Sequence, residues 1–152
     1  ELQLIRGKYN KLSNSINMEK KQIQNKFQGK NDSEVFNDGI VSYKKKDYKK
    51  AIENFSYLVD RGIDSSIVAE ATFFSAVTYE KLNNIEKSEE LYYKYIDKYK
   101  GENYYDDSLY NCGIMLYRNG NKEKAKKVLN ILQKEVPNSM FVNKTVKIIL
   151  NN

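Results

Sequence analysis

Asp106-Asp107 and Glu89-Glu90 are the adjacent carboxylate pairs of this chain. Two carboxyls that share a proton can divide general acid and general base work between them. Sharing requires both groups on one side of the backbone, and helical neighbours point about 100° apart, so neither pair makes such a dyad unaided. Asp106 and Asp107 stand just before an apolar helical stretch, where negative charge stabilises a helix N-terminus. Other reactive side chains are scarce. The chain has no His, the residue most used for proton transfer near neutral pH and the commonest metal ligand. Cys112 is the single cysteine, which removes an intrachain disulfide, a CxxC redox pair and a thiolate zinc site. It lies beside Gly113 in an apolar stretch and reads as a small buried hydrophobe. The glycines are scattered and form no phosphate-cradling loop. No catalytic residue, metal or cofactor is expected, and function must come from surfaces.

Those surfaces belong to helices. The chain has 152 residues, 40% hydrophobic and 30% charged, with seven Gly and one Pro. So few turn-formers exclude a sandwich or barrel of many short strands. A mean hydropathy of -0.75, with no run approaching the ~20 apolar residues of a membrane span, excludes a transmembrane chain. The formal net charge of +6 is unevenly placed: residues 1 to 30 hold seven Lys or Arg against two Glu, a net of +5. The remainder is close to neutral, so the basic pI is no argument that it binds nucleic acid. Glu1 in place of Met suggests a processed or truncated product, with any leader sequence out of view.

A repeat decides the architecture. Gly39, Ala76 and Gly113 are 37 residues apart, as are Ala51, Ser88 and Ala125, and again Leu58, Tyr95 and Leu132. The first two columns hold only Gly, Ala or Ser and the third only large apolar residues. Each copy reads as helix, short break, helix. Breaks fall at Lys45-Lys46-Asp47, Leu82-Asn83-Asn84 and Arg118-Asn119-Gly120-Asn121. Small side chains are needed where paired helices cross closely, and that need outweighs the ~1 kcal/mol that Gly costs inside a helix. Pairs that cannot bury both faces alone must stack into a solenoid with a cap. Residues 139 to 150, with Phe141, Val142, Val146, Ile149 and Leu150, are expected to be that capping helix.

Residues 1 to 27 follow a different period. Leu2, Ile5, Tyr9, Leu12, Ile16 and Ile23 keep alternating spacings of three and four, with Glu19 where the next apolar residue is due. This short heptad seam could pair chains or lie back on the solenoid, and Leu and Ile at both seam positions leave dimer and trimer open. A polar linker, Gln28 to Ser33, follows, in which Asp32 or Ser33 can cap a helix beginning near Glu34. The expected domains are 1 to 30, an oligomerising helix with its linker, and 31 to 152, three 37-residue repeats and a cap.

The copies resemble the tetratricopeptide repeat, a helix-turn-helix unit with small residues at its crossing. Tyr48-Lys49-Lys50-Ala51-Ile52-Glu53-Asn54-Phe55 and Gly120-Asn121-Lys122-Glu123-Lys124-Ala125 match the start of that motif's second helix, and Pro137 falls where the motif ends. The motif's early aromatic is replaced by Val35, Thr72 and Leu109, Ser88 stands for an Ala, and the period of 37 exceeds the usual ~34, which implies longer loops. With a heptad helix ahead of three repeats, the chain looks like the C-terminal part of the YbgF/CpoB family of periplasmic, Tol-Pal-associated proteins. The BamD-like outer-membrane assembly lipoproteins, usually with five repeats, are the second resemblance.

That resemblance implies an all-α solenoid, an N-terminal coiled coil that trimerises the chain, and a periplasmic adaptor that binds TolA-like or envelope-synthesis proteins without enzymatic activity. It also implies a concave groove lined by the first helix of each pair. This places Phe36, Ile40, Tyr43 and Lys44 in the groove, followed by Phe73, Val77, Glu80 and Lys81, then Tyr110, Ile114, Tyr117 and Arg118. Down the columns an aromatic, an aliphatic and a cation each recur three times, giving an apolar floor with a basic edge suited to a peptide or helix carrying acidic residues. The same aromatics could instead pack against their own second helices. The dense basic run from Lys44 to Lys50 spans a turn and reads as solvated. A nucleic-acid or anionic-surface role would fall to the basic N-terminal helix.

Overall fold

The breaks between paired helices are built the same way three times. Lys46, Asn83 and Gly120, 37 residues apart, all have positive φ, at 62°, 57° and 83°. Each reverses the chain after a first helix. The next residues, Asp47, Asn84 and Asn121, donate their backbone N–H to Ser42, Tyr79 and Leu116 carbonyls at 2.9 Å. This ties off the carbonyls that a helix end leaves open. The same three residues then cap the second helices, their side chains accepting from the backbone N–H of Lys50, Lys87 and Lys124. One turn chemistry therefore sets the entry angle of every pair.

In the computed structural model, which describes residues 1–152, these turns join eight α-helices without strands: α1 (Leu2–Lys26), α2 (Asp32–Lys44), α3 (Tyr48–Arg61), α4 (Ser65–Lys81), α5 (Ile85–Lys98), α6 (Tyr105–Arg118), α7 (Lys122–Glu135) and α8 (Lys144–Asn151). Backbone contacts divide the chain into a unit of residues 1–31 and a unit of residues 32–152. The second is the all-α solenoid: α2 packs on α3, α4 on α5 and α6 on α7, and α3 meets α4 as α5 meets α6.

The small columns lie at the crossings. A Cβ on Gly39 would come within 2.6 Å of the Phe55 ring, and one on Gly113 within 2.5 Å of Leu129 Cγ. In the middle pair the crossing residue is Ala76, and Ser88 Oγ donates to its carbonyl at 2.8 Å. The hydroxyl is satisfied where Ala would otherwise stand. Leu58, Tyr95 and Leu132 fill the space behind each pair and are fully buried.

Two boundaries differ from expectation. The helix expected near Glu34 starts at Asp32, so Asp32 and Ser33 lie inside its first turn. The Asp32 carboxylate accepts the backbone N–H of Ile63 and Asp64 at 2.6 and 2.8 Å and so anchors the connection between the first and second pairs. The capping helix, expected over 139 to 150, runs from Lys144, with Asn143 as its cap accepting from the Val146 N–H. Pro137 and the turns after it keep Phe141 and Val142 out of the helix. Helix α8 is the first helix of a fourth copy in register. Val146 continues the buried column of Val35, Thr72 and Leu109, and Phe141 lies 37 residues after Tyr104. Leu150 occupies the small column, where its bulk would hold off a crossing partner.

The unit of residues 1–31 is one 25-residue helix, α1, none of whose residues is buried. It ends near Gly29, whose φ is 81°.

Candidate protein-binding face

The first helices α2, α4 and α6 carry the candidate residues at helical spacings of four and three, which puts them on one side of each helix. Their depths differ. Phe36, Ile40, Tyr43, Val77 and Tyr110 are half-buried, while Lys44, Lys81 and Arg118 are exposed. Phe73 and Ile114 retain only 6% and 8% of their surface and belong to the core. That is a correction to their place on the groove floor. Phe73 packs edge-on to Tyr92 and Tyr95 of α5 and lies flat against Tyr104, with ring centroids 4.4 Å apart and planes at 5°. Its helical phase is that of Phe36, but the Tyr104 ring covers it.

Tyr104 and Phe74 carry much of this packing, and neither stood out in the sequence. Phe74 touches Phe36, Tyr43, Phe55 and Tyr104 with centroids 5.6 to 6.2 Å apart. It joins the first pair to the second. No column announces it, because Asn37 and Asn111 hold the equivalent positions. Tyr110 stacks on Phe141 at 4.8 Å, repeating in the third copy the contact of Phe73 with Tyr104. Ser139 Oγ donates to Asp106 Oδ2 at 2.5 Å and holds this segment against α6. The alternative packing of the aromatics is thus realised for Phe36 and Tyr43, which meet Phe55 and Tyr48 of their own second helix at 5.7 and 5.5 Å, and for Phe73.

What remains open to a partner is a half-exposed aliphatic and aromatic strip from Ile40 and Tyr43 through Val77 to Tyr117. Lys44, Lys81 and Arg118 border it, and none of them is in an ion pair. Glu80 interrupts the strip with one carboxylate. Its Oε2 accepts the Tyr92 hydroxyl at 3.3 Å. Burial, then the charge of Glu80, hold the Tyr92 hydroxyl well above the ordinary tyrosine range. Tyr43 is shifted the same way, by burial first, then Tyr48 and Glu80. Both hydroxyls stay protonated at any physiological pH, and that of Tyr92 is the donor to Glu80. At the other ends of these helices the charge changes sign, with Glu70 on α4 and Asp107 on α6. Asp107 is pushed above the usual carboxylate range by burial and by Asp106. The face is dipolar: acidic where the helices begin, basic where they end, apolar between.

Asp106 and Asp107 interact, since Asp106 raises the Asp107 carboxyl, and both carboxylate pairs have partners outside the pair. Asp106 is engaged by Ser139, and Glu89 pairs with Lys124 at 2.5 Å. Cys112 is buried, and burial pushes its thiol up to about 12. On the other side of the solenoid a concavity of about 230 Å³ lies between α3, α4 and α5, lined by Asp60, Tyr79, Lys87, Glu90 and Lys94 among others. That is below the ~300 Å³ at which small-molecule pockets usually begin, whereas a second concavity of about 340 Å³ lies beside the α5–α6 connection, lined by Lys100, Glu102, Tyr105, Asp106 and Glu135 among others. No helix is long and apolar enough to cross a membrane. In α1, Leu2, Ile5, Tyr9, Leu12, Ile16 and Ile23 are all exposed.

Paired helices with small residues at each crossing, stacked through a shared turn chemistry, define a helical-repeat solenoid whose first helices offer a surface for protein binding. Residues 107–139, from the first turn of α6 to the loop after α7, match the family model of the tetratricopeptide repeat. The fold is an all-α tetratricopeptide-type solenoid. No curated protein matches the chain.

Proposed function

We propose that this protein is a non-enzymatic adaptor that holds a partner peptide or helix along the first-helix face of its solenoid. The observation that carries this reading is the basic border: Lys44, Lys81 and Arg118 recur at one position of each copy, exposed and without ion pairs, beside an apolar strip. Each also stands in the last turn of its helix, where a cation favours the C-terminal dipole, but no acid of this chain neutralises it. A partner with acidic residues along one side and apolar residues along the other would supply the counter-charges.

The resemblance to YbgF/CpoB supports a setting in the bacterial cell envelope. There the protein would act in the periplasm with Tol-Pal-like machinery during cell division, and a TolA-like or envelope-synthesis protein would be the partner. Binding is then of modest affinity and weakens as salt screens the cations. The test is a titration of the soluble TolA-like domain from the same source against the wild-type chain and a Lys44→Glu/Lys81→Glu/Arg118→Glu variant. All three positions are exposed but close their helices, so the variant should stay folded, melt somewhat below the wild type through the lost dipole interactions, and lose at least ~10-fold in affinity, about 1.4 kcal/mol. Unchanged affinity in the variant overturns the face. Loss of binding by Ile40→Ser or Tyr43→Ala alone would place the contact on the strip rather than its border. Fractionation of cells that express the chromosomal protein tests the compartment.

A further inference from the structure

Eight of the twelve exposed large hydrophobic residues lie in α1, a helix about 37 Å long. A single helix that exposes such a stripe is marginal in water and needs a cover. The stripe is narrow. Leu2, Tyr9, Ile16 and Ile23 form one row and Ile5 and Leu12 the other, while Leu4 and Met18 point elsewhere. Two rows are the width of a helix-on-helix seam, whereas a helix lying in a bilayer surface spreads its apolar residues over a wider arc.

The charges beside the seam describe the covering helix. With the first row at heptad position a and the second at d, Arg6 and Lys20 fall at e and Lys8 at g, all exposed. Glu1 is the acidic residue among these flanking positions. Glu19 takes a d position inside the seam itself. A second copy of α1 aligned in parallel would set Glu19 against Glu19 across the seam and bring one +5 segment against another. We infer that α1 docks an acidic amphipathic helix of a different protein, in place of the self-association that the YbgF/CpoB resemblance implies. That helix has an apolar a/d seam, Glu or Asp opposite Arg6, Lys8 and Lys20, and a Lys or Arg opposite Glu19. The α1 seam uses none of the residues of the first-helix face, so the protein joins two partners.

The probe is a synthetic 25-residue helix with Leu and Ile at a and d, Glu at every e and g, and one Lys opposite Glu19. Its own like charges prevent it from pairing with itself. Fluorescence anisotropy of the labelled probe against the full chain should show saturable binding that weakens at least ~10-fold between ~50 mM and ~500 mM salt. The same probe with Lys at e and g should not bind. In an Arg6→Glu/Lys8→Glu/Lys20→Glu variant, which leaves residues 32–152 untouched, the preference should reverse. Circular dichroism of the mixture should show more helix than the sum of its parts. Self-association of the full chain at tens of micromolar, abolished by Leu12→Ser, would show that a second copy covers the seam and overturn the inference. Binding to vesicles of one-third anionic lipid without binding to the acidic probe overturns it in favour of a membrane surface. No binding to either overturns it outright.

Discussion

Gly113 gives the sharpest test of why the solenoid needs its small columns. In an open helix, Gly→Ala stabilises by about 1 kcal/mol, because Ala gives up less backbone freedom on folding. At Gly113 the new methyl would sit 2.5 Å from both Cγ and Cδ2 of Leu129. Leu129 is fully buried, and its Cγ is one bond from Cβ, so no rotation of the chain's far end relieves the contact. Either Leu129 changes χ1 inside a packed core or α6 and α7 move apart, and such overpacking costs about 1–3 kcal/mol, towards the upper end for two contacts this close. The net expectation is a loss of about 1–2 kcal/mol, a fall in Tm of about 4–8 °C for a solenoid of this size. The mechanism is separable by a double-mutant cycle. Leu129→Ala alone should cost about 2–4 kcal/mol through its cavity. In that background Gly113→Ala should become neutral or stabilising, a coupling of about 1–3 kcal/mol. Chemical denaturation of the four proteins measures all terms. A stabilising Gly113→Ala, or a cost that is the same with and without the Leu129 side chain, would refute close helix crossing as the reason for the column.

Three more outcomes are expected. Lys46 is held in the left-handed conformation that Gly120 takes in the third copy, so Lys46→Gly should stabilise by about 0.5–1 kcal/mol and Gly120→Lys should destabilise by a similar amount, both read by chemical denaturation. The Glu135 carboxylate accepts from the Tyr105 hydroxyl at 2.5 Å and pairs with Lys100 at 2.9 Å, and these hold its pKa below the ordinary value. Its contribution is therefore present above the ordinary glutamate pKa and disappears as the pH falls through the folded value. In Tyr105→Phe the carboxyl should titrate at higher pH by NMR, and no change would show that the hydroxyl is not its main partner. The Cys112 thiol, buried and raised to about 12, should resist alkylation at pH 8 and react only as fast as α6 opens, so mild denaturant should speed labelling sharply; fast labelling in native buffer would contradict the packing.

The period of 37 and the small columns made the fold legible, because each is a steric requirement written at a fixed position. The turn columns at Lys46, Asn83 and Gly120 were less plain, since a left-handed residue can be Gly or Asn and here is once a lysine. On the binding face, periodicity gave the phase of each helix but not its depth. Phe73 shares the phase of Phe36, and its burial depends on Tyr104, a residue from the next copy's loop that no within-repeat pattern assigns to it. Phe74 escaped for the opposite reason: it breaks its column. The start of the cap was misplaced because apolar Phe141 and Val142 continue a helical spacing that Pro137 and the turns after it interrupt. Residues that pack inside one repeat obey its period, and those that join repeats need not.

The stacks of Phe73 on Tyr104 and Tyr110 on Phe141 bear on how the solenoid yields to force. The first and second pairs meet through both helices, since α4 packs on α2 as well as on α3. Between the second and third pairs α5 packs on α6, and Phe73 of α4 lies flat on Tyr104 at the head of α6. Tyr104 is tied to α5 as well, its backbone N–H donating to the Tyr95 hydroxyl at 3.1 Å. Any shear between the second and third pairs must therefore break this stack and this hydrogen bond together, which holds the spacing of Lys81 from Arg118.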